Sequence, residues 1–394
     1  MQKYVYSLGV LLAACGGGGG GSMGDDAPVD ARGPAQLTGP VMIDPAAAPA
    51  QKLSQYQLFT WTAQTGFTFN DRVVPYDLNT PLFSDYALKQ RAIYVPPGQA
   101  ATYDADAALA FPVGSVIVKT FSFATDLRTP TDPKLVETRL LVRAADGWKP
   151  MPYIWDADQR DATYSPGGEV RPIDFTDLDG NLQHASYLVP QRNQCESCHT
   201  LQDQSGAISM VLIGVKARHI NRDYDYGGAI GVVNTLDHLT ELGMLTGAPA
   251  SAAAPKAYDF RPIEAGGPGV VPAAELDTAA RAYLDINCSH CHNPHGNNGI
   301  TSQLFLDHGN TDLFHLGVCK RPGSAGVGYG GLTFDIVPGA PDSSILYFRD
   351  HTTQVGAIMP LLGRSVTHAD GAALLHDWIG AMATVDCNQQ QPSP

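Results

Sequence analysis

Two six-residue stretches constrain this chain more than anything else in it: Gln194-Cys195-Glu196-Ser197-Cys198-His199 and Asn287-Cys288-Ser289-His290-Cys291-His292. Each contains Cys-x-x-Cys-His, the attachment pattern for c-type haem. Two thiols three positions apart lie on about one helical turn, within reach of the two vinyl groups of one porphyrin. The histidine that follows falls under the iron as its proximal ligand. A lone Cys-x-x-Cys also serves redox dithiols and zinc sites. Two copies, each followed at once by histidine, in a chain of seven cysteines predict two covalently held haems.

Covalent haem attachment takes place outside the cytoplasm, and the N-terminus is read accordingly. Lys3 is a positive n-region, and residues 5–14 form an apolar h-region too short to cross a bilayer. Leu12-Ala13-Ala14-Cys15 resembles the lipobox of bacterial lipoprotein signal peptides. That resemblance implies that Cys15 is diacylated and becomes the mature N-terminus; an ordinary secretory signal that happens to contain a cysteine is the alternative. Gly16, rather than aspartate, follows the cysteine, which implies placement at the outer membrane, on its periplasmic side or at the cell surface. The glycine run 16–21 and the Ala/Pro/Asp-rich stretch after it read as a tether reaching residue 52.

Of the other cysteines, Cys319 and Cys387 remain after four are assigned to haem. In an oxidising compartment they are most simply a disulfide, with two buried thiols as the alternative. Acidic side chains outnumber basic ones 39 to 25, for a net charge of -14. Such a surface disfavours nucleic acid and anionic lipid and suits a basic redox protein partner, although acidity also serves solubility alone.

A length of 394 residues accommodates two or three domains. Residues 53–189 alternate short β-branched and aromatic runs, such as 115–121 and 137–142, with Pro, Gly and Asp punctuation. This predicts a β-sandwich or barrel-like domain. Within it, Asp177 to Asn181 reads as a hairpin turn rather than a calcium loop, because the bidentate glutamate is missing. Trp148, Tyr153 and Trp155 read as core or cross-strand packing rather than a ligand face.

The first haem lobe spans 190–247. Pro190 precludes a long helix running into Cys195. Residues 209–214 read as a buried strand or apolar turn, and 232–242 as a helix with Leu236, Leu239 and Leu242 on one face and Gly243 as its stop. The sixth iron ligand here stays open among Met210, Met244, His219, His238 and a vacant position. After a linker at 248–273, the second lobe (274–390) has a sharper pattern. Asp277 or Thr278 caps a helix carrying Leu276, Ala280, Tyr283 and Leu284 into Cys288. A helix starts at Pro341, and Thr367 with Asp370 opens a terminal helix containing Leu374, Leu375, Trp378 and Ile379. Before it lies Met359-Pro360, 67 residues beyond His292 (359 minus 292), where a distal thioether belongs. Arg349 is a candidate partner for a haem propionate, or one residue of a solvated helix face.

From about residue 274 to 385 the chain resembles a class I c-type cytochrome, through Ala282-Tyr283-Leu284, the second Cys-x-x-Cys-His, Met359-Pro360 and Trp378-Ile379. That resemblance implies Cys288 and Cys291 as thioether residues, His292 as proximal ligand and Met359 as distal ligand. The first lobe matches only in Cys195, Cys198 and His199. The whole layout resembles an uncharacterised family of secreted bacterial dihaem-type lipoproteins with an N-terminal β-rich domain. The expected fold class is therefore α+β and multidomain, a β-rich domain followed by a mainly α cytochrome c-type region.

Three functions compete. The leading one is a lipid-anchored dihaem carrier of electrons. The second is a dihaem peroxidase or oxidase, with a reactive first haem fed by the second. The remote third is one structural zinc held by Cys195, Cys198, Cys288 and Cys291 in a binding module.

Overall fold

The structure, a computed structural model, describes residues 36–264, 270–323 and 329–389. Cys15, its leader and the glycine run lie outside the described residues. The architecture is mixed α+β, strand-rich in its N-terminal part and helical later.

The N-terminal part carries β1 (Phe59–Thr62), β2 (Gly66–Phe69), β3 (Val73–Tyr76), β4 (Leu88–Tyr94), β5 (Ala101–Thr102), β6 (Val116–Phe123), β7 (Lys134–Ala144), β8 (Gly147–Trp155) and β9 (Ala162–Tyr164). Six of them form an antiparallel sheet in the order β3-β4-β6-β7-β8-β9. No pairing closes β3 onto β9 among the described residues. A ribbon of β10 (Glu169–Thr176) and β11 (Leu182–Val189) follows, turned at Asp177 to Asn181, where Asp177 Oδ1 accepts from the Asn181 amide at 2.8 Å. That is the expected hairpin turn.

Strand side chains alternate between faces, so the sheet has two cores. On one face Tyr94, Val118, Leu140, Tyr153 and Trp155 pack beneath Phe59 and Trp61 of β1. Tyr153 and Trp155 are thus core residues, as their spacing predicts. Val41, Ile43 and Ala50 pack against the same cluster. This corrects the expected tether: apolar side chains in its second half hold that half on the domain.

On the other face Ile93, Ile117 and Leu141 meet Leu212, Ile213, Val215 and Leu236. The segment after the first Cys-x-x-Cys-His therefore supplies the second half of a core begun by the sheet, one hydrophobic unit across residue 190. Each such aliphatic side chain contributes about 1.5–3 kcal/mol over its exposed state.

The later elements are α1 (Glu196–His199), β12 (Thr200–Gln202), β13 (Ile208–Met210), α2 (Ala217–Ile220), α3 (Thr235–Glu241), α4 (Arg261–Glu264), α5 (Leu276–Asn287), α6 (Asn297–Ser302), α7 (Ile345–His351) and α8 (Ala369–Ala381). The helix expected from 232 starts only at Thr235, because the Asn234 side chain caps it by accepting from the Leu236 amide. Leu236 and Leu239 are buried, but Leu242 is exposed, one residue beyond the end of α3. Gly243 takes the left-handed conformation (φ 63°) that stops it. Helix α5 begins at Leu276, ahead of its expected caps, and runs to Asn287 just before Cys288, with Leu276, Ala280, Tyr283 and Leu284 all buried. Its expected caps do other work: Asp277 accepts from the Trp378 indole of α8 at 3.0 Å, and Glu275 occupies the cap position. His368, not Thr367, precedes α8, and the Thr367 hydroxyl donates to the His351 carbonyl.

Cys319 and Cys387, 68 positions apart in the sequence, form a disulfide with a Cα–Cα distance of 4.9 Å. It ties the loop before α7 to the chain beyond α8. Elsewhere, His368 lies between the two parts of the molecule, 2% exposed and stacked on Phe83 at 4.2 Å. Its Nδ1 is 3.1 Å from the Tyr283 hydroxyl, and its Nε2 3.5 Å from Glu264.

Replacing Cys319 and Cys387 together by serine should lower stability by about 2–5 kcal/mol, read from the denaturant midpoint. His368 generates a pH prediction. Burial pushes its imidazole down to about 3, while an unfolded histidine titrates near 6.5. Below pH 6.5 the unfolded chain therefore binds the extra proton, and stability falls as pH drops toward 3. Burial also keeps Glu264 protonated up to about 7, so it supplies no charge to an imidazolium in that window. His368→Phe should thus gain on the wild type by about 1.4 kcal/mol per pH unit between 6.5 and 4.5. A constant offset between the two across that range would show that His368 is not the group responsible.

Candidate functional site

The chain reaches its first motif from β11 through Pro190 and a tight turn, Arg192–Cys195, that passes directly into α1. Strands β12 and β13 then pair and bring Val211 back over His199. His199 Nδ1–H donates to the Val211 carbonyl at 2.7 Å, which fixes the tautomer and leaves Nε2 with a free lone pair. The second motif grows out of the end of α5: the His292 amide donates to the Cys288 carbonyl at 2.9 Å, one helical turn that sets both thiols and the imidazole around the same axis.

Tertiary structure then places the motifs side by side. The Gln202 amide donates to the His295 carbonyl at 2.8 Å, and Leu201 bridges Gly296. The Cys291 thiol points at the Ser197 carbonyl at 3.5 Å. Two cavities flank this seam. One, of about 540 Å³, is lined by Cys288, Cys291, His292 and Met359, with Arg349 and Asp350 on its wall. The other, about 170 Å³, is lined by Cys195, Cys198 and His199, with Arg91, Lys119 and Arg139 from the sheet. Cys198, His290, Pro360 and Leu362 line both. The seven residues expected at the haem sites all line these cavities, with Cys198 lining both.

Burial holds the imidazoles of His199 and His292 down at about 4, so both are neutral near pH 7, the form that binds a metal. Burial also pushes the Cys288 thiol up, keeping it protonated. Between the cavities Cys198, His290 and Cys291 place donor atoms within 4.8 Å of one another. The hydrogen bond shared with Cys291 pulls the Cys198 thiol down, helped by His290, and pushes Cys291 up. The donor set of each cavity fits a c-type haem: two thiols, a neutral imidazole and apolar walls. The larger space falls in the range usual for cofactor sites, and the smaller one is narrower than that range. The four-cysteine zinc arrangement does not assemble, since the cluster includes two of the four and adds His290.

Met359 sits in a loop held by contacts that no motif announces. Its amide donates to the Arg349 carbonyl at 2.9 Å, and Arg364 donates to the carbonyls of Met359, Arg349 and Thr352. Asp85, on a loop between β3 and β4, accepts from the amides of Ser365 and Val366 and from the Ser365 hydroxyl. Arg349 lines the cavity as its candidacy required, with its Nε donated to the Ala357 carbonyl.

The candidates for a sixth ligand at the first motif are placed elsewhere. Met244 is 1% exposed in the sheet core, His219 is bonded to Asp285 at 2.8 Å, and His238 is stacked on Tyr226. Met210 is not in the cavity wall. Met151 is, but its sulfur accepts from the Tyr56 hydroxyl on the opposite sheet face. His290 is the remaining imidazole in that wall. Sequence reading passed over it because it lies inside the other motif.

No protein family, curated protein or solved structure matches the chain.

Asp85→Ala removes the acceptor of three half-buried donors and should destabilise the protein by about 1–3 kcal/mol. If Met359 ligates iron, the same change should weaken the ferric methionine–iron charge-transfer band; an unaltered band would mean that the loop holds its place without Asp85.

Proposed function

We propose that this chain is a dihaem c-type cytochrome that carries electrons. The observation that supports it best is the adjacency of the two Cys-x-x-Cys-His segments, whose cavities share Cys198, His290, Pro360 and Leu362. Haem supplies a one-electron couple, and the chain supplies its attachment, ligation and burial. Cys195 and Cys198 hold one ring, Cys288 and Cys291 the other. His199 and His292 are the proximal ligands. Met359 takes the distal position of the second site, a His/Met pairing that raises potential. The apolar walls exclude water, and Arg349 is the cation on the second cavity's wall.

Residues 274–385 read as a class I cytochrome c lobe, and the N-terminal part as a sandwich in which β1, β2 and the chain before them cover one sheet face. Export, lipid attachment through Cys15 at the outer membrane and a basic redox partner complete the reading, from the leader and the charge of -14. A second reading, a peroxidase or oxidase with a reactive first haem, draws support from one observation. Among the described residues, the one methionine lining the first cavity, Met151, has its sulfur engaged on the other sheet face.

A pyridine haemochrome assay on protein from a cytochrome-maturing host, with carbon monoxide and peroxide spectra, tests this. Two low-spin haems inert to both ligands are expected. Two haems of which one is high-spin and binds carbon monoxide would select the enzyme. One haem would remove the first motif from the cofactor set, and stoichiometric zinc without haem would overturn the proposal.

A further inference from the structure

The sheet wall of the first cavity carries a row of cations that the attachment chemistry leaves unused. Strands β4, β6 and β7 place Arg91 opposite Lys119 and Lys119 opposite Arg139, so the three side chains stand abreast on one face. All three line the cavity beside Cys195 and His199. Carboxylates nearby are too few to neutralise them. Glu137, fully buried, pairs with Arg139 and accepts from the Tyr187 hydroxyl. Asp77 pairs with Arg91 at 2.7 Å but is shared with Arg222 and Arg261. Lys119 has no hydrogen bond or ion pair among the described residues, and its ammonium lies 4.8 Å from the centre of the Phe121 ring.

Arg91 is decisive. It is 3% exposed, and while Nη1 meets Asp77, Nη2 is buried with no hydrogen-bond partner. A buried guanidinium N–H without an acceptor has lost its hydration with no hydrogen bond in return. Burial and the neighbouring Arg91, Lys89 and Arg139 also push the Lys119 ammonium well below its ordinary range. An anion beside them would favour the charged form of Lys119 and give Arg91 Nη2 its missing acceptor.

We infer that Arg91 Nη2 and Lys119 Nζ form an anion-binding site on the sheet wall of the first cavity, built for a carboxylate or similar small oxyanion. Two sources carry that chemistry: the propionates of a haem held by Cys195 and Cys198, or a free oxyanion that enters beside it. The inference rests on the proposed haem site only for the first source. Either source gives the β-rich part a task, which is to close the charge balance of the first site with strands rather than with residues of its own lobe.

The test uses the full-length mature protein, its Lys119→Met and Arg91→Gln variants, and haem counts for each. Lys119 is the cleaner probe, since Arg91 also holds Asp77. Calorimetric titration with sodium sulfate at low ionic strength reads the free-anion arm. One-to-one binding to the wild type, weakened at least tenfold in Lys119→Met, would assign a free oxyanion. Without sulfate binding, the propionate arm predicts a lower Tm for Lys119→Met. It also predicts that one haem's reduction equilibrium shifts about tenfold toward the ferric form, about 59 mV. A wild type with a single haem would defeat the dihaem reading while leaving the sulfate arm legible. No sulfate binding together with a raised Tm in Lys119→Met, the result for simple relief of buried like charges, would overturn the site.

Discussion

The short backbone bridge between residues 201–202 and 295–296 is the contact on which the arrangement of this molecule turns. It joins segments more than ninety residues apart, and through it the two Cys-x-x-Cys-His turns lie against one another. Local backbone chemistry makes the approach feasible. A Cβ on Gly296 would meet the Cys291 carbonyl oxygen at 2.4 Å, and one on Gly299 the Asn293 carbonyl oxygen at 1.8 Å. The chain just after the second motif can therefore fold back tightly only with glycine at these positions, and the fold back is what presents His295 and Gly296 to β12.

Polar pins hold the rest of the molecule to that seam. Asp285, on α5 three residues before Cys288, is 1% exposed and meets Lys216, Arg218 and His219 of the sheet-packed segment. Burial opposes its ionisation, but the hydrogen bonds and charges of His219 and Lys216 hold its carboxyl well below the usual range. Asp85 does the equivalent work for the Met359 loop. Buried ion pairs of this kind contribute little net stability compared with apolar packing, and their value lies in register. Here the Asp285 pairs join α5 to the segment packed on the sheet, and the Asp85 hydrogen bonds join the Met359 loop to the loop between β3 and β4. The β-rich region thus acts as part of the site: one face of its sheet is completed by the first lobe's apolar residues, and the charged end of that face lines the first cavity.

Much of this was legible in the residues. Cys-x-x-Cys-His is a local device, read without knowledge of the fold, and α5 and α8 announce themselves through apolar spacing. The Cys319–Cys387 pair followed from elimination and is present. The misreadings have one physical origin. Caps and faces assigned from spacing assumed isolated helices, whereas Asp277 was taken by Trp378 and the 232–234 stretch by strand pairing with 223–225. The second half of the tether looked like linker by composition, and three apolar side chains were enough to dock it.

By itself, then, the sequence determined the spacing of thiols and imidazole in each motif, the order of a strand-rich part before a helical part, and the apolar stripes of the long helices, because all of these depend on residues within a turn or two of each other. Tertiary structure decided that the two motifs touch, that His290 stands between their cavities, that Met210 and Met244 are not part of the wall of the first of them, and that Arg91, Lys119 and Arg139 line it. Those outcomes depend on strand register and on loop closure over tens to hundreds of residues, and no local pattern encodes either.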